Sequence, residues 1–305
     1  MKEIISIVLP IFLVIGAGFL MRRYRLVKED WVPILNSFVY YVSLPAVILI
    51  SFWQISWQRI LPLLGINVLG MLAFAAILIF ALYFAKISPK TKSALFMAAL
   101  VGNTIYMGFP IIGNALGRES TDAVVGAATL QLVLGLVLSV MAVEFWVVKT
   151  RSFRVYALDF LKNPLIISLA AGILLSFVKQ TGTAVAIIQK PISMLGATAS
   201  PLALFALGAF MHGKFIRTHL GLSLMSSTIK LLFFPLFMMP LAWVFYRPVD
   251  DVVVTLLVSS MPVAATAFVI AEKYRLDEKL IANAILISTL ISIFTISGFL
   301  ALAIY

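Results

Sequence analysis

The stretch GNTIYMGFPIIGNALG, residues 102–117, lies in an apolar segment long enough to cross a membrane, yet it contains two asparagines, four glycines and a proline. A continuous helix disfavours glycine, which loses the most backbone entropy on folding, and proline, which lacks an amide hydrogen. Irregular backbone at membrane depth is stable only where it is buried in protein or lines a water-filled cavity. The stretch therefore predicts a broken membrane helix beside an internal cavity.

The composition is that of an integral membrane protein. Of 305 residues, 63% are hydrophobic and 11% are charged, whereas soluble domains have about 45–50% apolar and about 25% charged residues. A transmembrane helix needs about 20 mainly apolar residues, and a barrel strand needs about ten residues of alternating polarity. Because the apolar runs here are long and apolar on every side, we expect an all-α membrane protein with about ten spans. The expected spans are residues 4–21, 32–53, 60–85, 93–117, 122–148, 164–180, 190–211, 218–246, 250–272 and 278–304.

The net charge of +11 is explained by membrane topology. With ten spans, sixteen lysine and arginine residues fall on one side of the membrane and six on the other. Cytoplasmic loops carry the excess of basic residues, which predicts a multi-pass protein of the cytoplasmic membrane with both termini outside. We expect membrane lipids as partners, because anionic headgroups attract basic loops, and no nucleic acid. The chain has no cysteine, and we expect no cofactor and no metal ion.

Four prolines of the first half recur 152–158 residues later in the chain. Because each half then has five spans, an odd number, the second half enters the membrane from the opposite side. Such an inverted repeat is typical of secondary transporters. We expect a first five-helix repeat at 1–150, a cytoplasmic linker at 151–162 and a second repeat at 163–305. The proline pairs are Pro10 and Pro164, Pro33 and Pro191, Pro45 and Pro201, and Pro110 and Pro262.

Pro110 and Pro262 lie near the middle of the fourth and ninth spans, and we expect each to end one half-helix and begin another. Half-helix N-termini carry partial positive charge, so a cavity between them favours an anion such as a carboxylate. Side chains near the breaks supply neutral hydrogen-bonding groups. The candidate substrate-binding residues are Asn103, Thr104, Tyr106, Pro110, Gln131, Ser260, Pro262, Ala265 and Thr266.

Several of these residues also have a purely structural interpretation. Asn103 either only caps the broken helix ends or also contributes to the substrate site. Gln131 either lines the cavity or bonds a neighbouring helix, and Tyr106 could serve packing alone. The two prolines could be simple kinks, because proline is frequent in membrane helices.

Two ionisable residues lie inside the expected spans. Lys230 follows Arg217 by thirteen residues, which at 1.5 Å per residue places it roughly 20 Å deep. We expect its amine to bond backbone carbonyls at half-helix C-terminal ends, whose dipoles are negative. The alternatives are a bond to the substrate anion and a side chain that reaches the cytoplasmic interface. Glu144 lies near the cytoplasmic end of the fifth span, where an ion pair with Lys149 would account for it.

The motifs at the two breaks resemble those of the auxin efflux carrier family. Residues 102–117 are similar to its fourth-helix crossover, with an Asn-Thr pair followed by Gly-x-Pro, and MPVAATAFVIAEKYRLD, residues 261–277, is similar to its ninth. SFVYYVSLPAVILISF and SPLALFALGAFM resemble its second and seventh helices. The resemblance implies a carrier of small organic anions with the elevator fold of sodium/bile-acid symporters. In that fold, helices 1, 2, 6 and 7 form a dimerising scaffold, and helices 3–5 and 8–10 move with the substrate.

The chain departs from the plant members of that family. It has about thirteen residues between its halves, where they carry a long loop, and ATLQLVLGLV where they have a second Asn-Pro motif. The bacterial branch, which includes malate and malonate permeases, is the closer likeness. The resemblance therefore implies carboxylates such as dicarboxylates or auxin-like acids as substrates.

Other functions fit the sequence less well. An enzyme needs a catalytic constellation, but the two histidines, His212 and His219, fall in one loop, and neither HExxH nor GxSxG occurs. A channel needs a continuous pore, which broken helices do not require. The strongest alternative is a sodium-coupled organic-anion symporter of the bile-acid type, whose sodium would be bound by amides, hydroxyls and carbonyls.

Overall fold

The computed structural model describes residues 2–55, 57–117, 121–148, 162–177, 182–213, 218–245 and 249–304. Within these ranges the chain is helical, and the single β-type contact is an isolated bridge between Gly102 and Val263. The α-helices are α1 Lys2–Arg23, α2 Trp31–Phe38, α3 Leu44–Trp53, α4 Trp57–Phe84, α5 Pro89–Leu100, α6 Phe109–Leu116, α7 Thr121–Val143, α8 Pro164–Ser176, α9 Thr183–Ala197, α10 Ala199–Met211, α11 Leu220–Thr228, α12 Phe234–Phe245, α13 Val249–Ser259, α14 Ala265–Lys273 and α15 Glu278–Ile304.

Seven helical segments of the described chain are long and apolar enough to cross a membrane. They correspond to seven of the ten expected spans, so the protein is a multi-pass membrane protein. Two of the remaining three, the fourth and the ninth, are interrupted, and the sixth appears as the short helix α8. The seven segments are Ser6–Arg23, Trp31–Trp53, Leu63–Phe84, Ala123–Val148, Thr183–Met211, Leu220–Ala242 and Glu278–Leu302.

Three π-helical turns each end two residues before a proline. Proline clashes with the carbonyl four residues earlier and cannot donate a hydrogen bond. A wider turn relieves this conflict, because its amides bond the carbonyl five residues back, as Leu44 does to Val39 and Phe234 does to Ile229. The turns are Val39–Ser43 before Pro45, Thr104–Gly108 before Pro110 and Ile229–Phe233 before Pro235.

The chain divides into two compact units. Unit 1 comprises Met1–Val8, Leu61–Arg151 and Lys214–Tyr305, and unit 2 comprises Leu9–Ile60 and Ser152–Gly213. Unit 1 thus contains nearly all of the third expected span and the whole of the fourth, fifth and eighth to tenth, and unit 2 contains most of the first and the whole of the second, sixth and seventh. This division does not follow the two sequence repeats, which remain a prediction.

Unit 2 is packed through glycines that let helices approach backbone to backbone. A Cβ atom on Gly18 of α1 would overlap the carbonyl oxygen of Phe205 in α10, and one on Gly208 of α10 would overlap the carbonyl oxygen of Ile15 in α1. Small residues at such positions allow the close contact that drives helix association in lipid. The pairing of α1 with α10 therefore depends on both glycines.

Unit 1 is packed through side chains of mixed polarity. Gly70 of α4 lies against the thioether of Met238 in α12, and the rings of Phe74 and Phe234 have their centroids 4.9 Å apart. Polar residues such as Ser227 of α11, which donates to the Ala284 carbonyl of α15 at 3.3 Å, connect further helices. Hydrogen-bonding side chains are therefore part of this core.

Several sequence predictions fall on residues outside the described ranges. Residues 151–161 make up nearly all of the predicted cytoplasmic linker, so that prediction is not addressed by the structure. The orientation of the termini likewise remains a prediction. Basic residues used for the topology that lie outside the described ranges are Arg118, Lys149, Arg151, Arg154, Lys179, Lys214, Arg217 and Arg247.

Candidate functional site at the crossing of two broken helices

Two broken helices of unit 1 meet at their unwound segments. The first is unwound at residues 101–103, between α5 and the turn that begins at Thr104, and the second at residues 260–264, between α13 and α14. The Asn103 amide donates to the Pro262 carbonyl at 2.7 Å, and the Ala264 amide donates to the Val101 carbonyl at 3.0 Å. These bonds satisfy backbone groups that water cannot reach at this depth. We call the two segments the crossing.

The prolines do not mark the two breaks in the same way. Pro262 lies within the second unwound segment, so a break occurs near it as predicted, but the half-helix that follows begins at Ala265, three residues later. The first break lies seven residues before Pro110, which instead occupies the first turn of α6. The prediction that a half-helix begins at Pro110 is therefore wrong. The position of the break is set by the backbone bonds to the second segment, and Pro110 is accommodated by the π-helical turn that precedes it.

Gly102 leaves room at the crossing for the end of the Lys230 side chain. A Cβ atom at this position would lie 2.8 Å from both Cε and Nζ of Lys230. A side chain here would therefore displace the lysine amine. The glycine lets the buried lysine amine approach the unwound backbone directly.

The half-helices that leave the crossing begin without a side-chain cap. Asn103 occupies the N-cap position of the first and Ala264 that of the second, and neither side chain accepts a bond from the helix. The first amides of a helix have no partner within it, and an anion near them is stabilised by the dipole. Asn103 is buried, with 3% of its surface exposed, and its Oδ1 has no hydrogen-bond partner among the described residues. Capping alone therefore does not account for Asn103.

Of the other candidate residues at the crossing, some have side chains that are hydrogen-bonded and one has a side chain without a hydrogen-bond partner among the described residues. Thr104 Oγ1 donates to the Ala128 carbonyl of α7 at 2.8 Å, and Ser260 Oγ donates to the Leu257 carbonyl of its own helix at 2.8 Å. Thr266, in the first turn of α14, has a buried hydroxyl with no partner in the described part of the chain. Ala265 is the first residue of α14, and Tyr106 is buried in the π-helical turn after Asn103.

Gln131 of α7 bonds neighbouring helices, which was one of its two interpretations. Its Nε2 donates to Asn67 Oδ1 of α4 and to Ser259 Oγ of α13, each at 2.8 Å. Asn67 Nδ2 donates in turn to the Leu63 carbonyl at 2.8 Å. Asn67 and Ser259 were not among the residues predicted from the sequence. Asn67 was detectable, because it is an amide in a 28-residue helix that is otherwise largely apolar.

Lys230 lies where the sequence analysis expects it, next to a half-helix C-terminus. It is fully buried in the π-helical turn Ile229–Phe233. Its Nζ donates to the carbonyl of Ser259, the last residue of α13, at 3.0 Å and lies 4.3 Å from the centre of the Phe234 ring. The alternative in which the lysine reaches the cytoplasmic interface is excluded by this burial.

Glu144 is remote from the crossing. It begins the π-helical turn Glu144–Val148 after α7, and thirteen residues separate it from Gln131, or about 20 Å along a helix. The Lys149 partner expected for it lies outside the described residues. In the described ranges, no three His, Cys, Asp or Glu residues are grouped as metal ligands.

Comparison with known proteins places the chain in one family. The family model described as "Membrane transport protein" matches residues 3–149 and 147–300. A relative in Methanocaldococcus jannaschii, named an "Uncharacterized transporter", is 25% identical, with 96% of each chain covered. The "Putative malonate transporter" of Rhizobium meliloti is 27% identical, with 99% of this chain and 96% of the relative covered. The chain belongs to the membrane transport protein family, that of the auxin efflux carriers which its two crossing motifs resemble.

Proposed function

We propose that this protein is a secondary transporter of small organic anions across the cytoplasmic membrane. The observation that carries the proposal is the pair of half-helix N-termini without side-chain caps at the crossing, with the buried Asn103 at the N-cap position of the first. Amides at helix N-termini bind carboxylates without a metal ion or a fixed positive side chain. Membership of a transport protein family supports transport rather than catalysis.

Carboxylates are the proposed substrate class, and dicarboxylates are the first to test. One relative of nearly the same length carries malonate in its name. The crossing offers both partial positive charge, from the helix ends, and neutral groups such as Asn103 and Thr266. A carboxylate is stabilised by the positive end of a helix dipole, and its remaining oxygen atoms accept hydrogen bonds from neutral donors.

We propose an elevator mechanism from the composition of the two units. Unit 1 holds the whole crossing, including Lys230, Gln131 and both unwound segments. A unit that contains every group of the proposed binding site can move as a rigid body, and the site residues then keep their positions relative to one another. Unit 2 would be the scaffold and, as the resemblance implies, would form a homodimer.

A sodium-coupled symporter of the bile-acid type remains the second candidate. It is favoured by buried oxygen atoms that have no hydrogen-bond partner among the described residues, namely Asn103 Oδ1, Gln131 Oε1 and Thr266 Oγ1. Sodium sites are built from such oxygen ligands. Uptake that depends on a sodium gradient would favour this candidate.

Purified protein tests the proposal in two steps. Thermal unfolding is first measured with malonate, succinate, indole-3-acetate and neutral amides, because a bound ligand raises the midpoint by mass action. Counterflow of the best ligand is then measured in proteoliposomes with and without sodium. Stabilisation by carboxylates and saturable counterflow are expected. Stabilisation by none of the acids, together with no counterflow, would overturn the proposal.

A further inference from the structure

The orientation of two buried amides in unit 1 can be read from one backbone carbonyl. The carbonyl oxygen of Leu63 is an acceptor only, so the Asn67 atom 2.8 Å from it must be the amide nitrogen. The other end of the Asn67 amide is then its oxygen, and the Gln131 atom 2.8 Å from that oxygen must be a nitrogen. Amide orientations are otherwise ambiguous, but this chain of bonds leaves one assignment.

Gln131 therefore has only an acceptor left. One hydrogen of its Nε2 is donated to Asn67 and the other to Ser259 Oγ. Its Oε1 is buried and has no partner among the described residues. A buried acceptor without a donor costs about 1–3 kcal/mol, so this oxygen favours a ligand that brings a hydrogen-bond donor.

Gln131 lies on the side of α7 that faces the crossing. Three residues earlier, the carbonyl of Ala128 accepts the Thr104 hydroxyl, and four residues later Gly135 lies against the Leu100 carbonyl. Residues three and four apart share one face of a helix. Ser259, which binds Gln131, directly precedes the second unwound segment. The unpartnered oxygen thus belongs to the neighbourhood of the half-helix N-termini.

We infer that Asn67 is a positioning residue that makes Gln131 a selective acceptor, so that the preferred ligand is a carboxylate with a single charge and a hydrogen-bond donor. A dicarboxylate meets this description when one of its two groups is protonated. The ionised group lies at the half-helix N-termini, and the protonated group donates its hydrogen to Gln131 Oε1. The inference rests on the proposed function and narrows its substrate class.

Two derivatives of malonate separate donor recognition from charge. Malonamate and monomethyl malonate each carry one carboxylate, but the amide of the first donates hydrogen bonds and the ester of the second does not. Affinity of the full-length protein for both is measured by titration calorimetry at pH 7.5. We expect malonamate to bind about two- to tenfold more tightly, the range for one neutral hydrogen bond.

Two variants test the role of Asn67 against a matched control. Asn67→Leu and Ser259→Ala each remove one bond from Gln131 Nε2, and Ser259→Ala keeps the backbone carbonyl that Lys230 uses. Only Asn67→Leu lets the Gln131 amide turn over, because a serine hydroxyl both donates and accepts. The ratio of the affinity for malonamate to that for monomethyl malonate should fall towards one in Asn67→Leu and should stay at the wild-type value in Ser259→Ala. If Asn67→Leu does not fold, Asn67→Ala is measured in its place.

The outcomes separate this inference from the proposed function. If malonate binds but the two derivatives bind equally to the wild type, or if both variants keep the same preference, the inference is overturned and the anion site stands. If neither malonate nor the derivatives bind and no other carboxylate does, the proposed function fails. Gln131→Leu gives an independent check, because removal of the acceptor should abolish the preference for malonamate.

Discussion

The two units of this protein differ in the contacts that are most prominent between their helices. In unit 2, α1 and α10 meet at Gly18 and Gly208, where each glycine faces a carbonyl oxygen of the other helix. In unit 1, the chain of bonds from Asn67 through Gln131 to Ser259 connects three helices through side chains. Lipid supplies no hydrophobic force between helices, so association needs either close packing or polar bonds.

The difference indicates different tasks. Backbone-to-backbone packing leaves no room for a larger side chain at the contact, because protein interiors tolerate little change in volume. A polar side-chain network can leave some of its groups without a hydrogen-bond partner, and in unit 1 one such group, Asn103 Oδ1, lies at the crossing. The comparison predicts that unit 2 responds to substitution mainly in stability, and unit 1 in stability and binding.

The largest effect is expected at the glycine contact of unit 2. In Gly18→Ala the new methyl group would overlap the Phe205 carbonyl, a backbone atom that cannot turn aside. Overpacking costs about 1–3 kcal/mol and occasionally more, and a clash with backbone atoms belongs at the upper end of that range. Thermal unfolding and size-exclusion profiles should show a destabilised protein. Gly16→Ala, in the same helix with open space around it, should be unaffected, and equal behaviour of the two would contradict the packing argument.

The next effect is expected for Lys230→Met in unit 1. The variant leaves the Ser259 carbonyl without its donor, and a buried acceptor without a donor costs about 1–3 kcal/mol. The unfolding midpoint should fall clearly, with a smaller change in anion affinity. Lys92→Met is the control, because Lys92 also donates to a carbonyl, that of Tyr83, in a solvent-exposed bond. Loss of affinity at unchanged stability would assign the lysine to the substrate instead.

Asn103→Ala should separate binding from stability. Its side chain caps nothing and its Oδ1 bonds nothing in the described part of the chain, so little stability is lost. Loss of a hydrogen bond to a charged ligand costs about 1.5–3 kcal/mol, or tenfold and more in dissociation constant. Asn114→Ala changes an exposed asparagine of the same broken helix and should leave calorimetric affinity unchanged. A destabilised Asn103→Ala protein with normal affinity would leave Asn103 a structural residue.

The smallest effect is expected for a polar contact of unit 2. Ser43 Oγ and Thr198 Oγ1 are 2.7 Å apart, and such a bond between membrane helices contributes about 0.6 kcal/mol on average. Thr198→Val should lower the unfolding midpoint slightly and leave ligand affinity unaltered. Thr183→Val, at an exposed position, is the control. A large loss of stability in Thr198→Val would show that polar bonds matter in unit 2 as much as glycine packing.

The sequence was sufficient to predict that two helices are broken, because Gly102 and Pro262 are residues that helix interiors disfavour. It also placed Lys230 correctly, since a buried amine needs an acceptor and half-helix ends supply carbonyls. The exact first break was not predictable from Pro110. That position depends on the bond from Asn103 to Pro262, a contact between distant parts of the chain.

Gln131 shows a second limit of prediction from sequence. Its residue type indicated a polar role in an apolar helix, and both cavity lining and helix bonding were consistent with it. The choice depends on which helices face α7, and Asn67 and Ser259 are far from Gln131 in the sequence. An amide in α4 was visible in the sequence, but no local pattern connected the two residues.

The bridge between Gly102 and Val263 also has a consequence for how the protein is made. Its two residues are about 160 positions apart, and long-range contacts form late in folding. When the first half of the chain has left the ribosome, the amide of Asn103 has no Pro262 carbonyl to bond. The first broken helix therefore enters the bilayer incomplete, and the second half of the chain has to be inserted before the crossing can form.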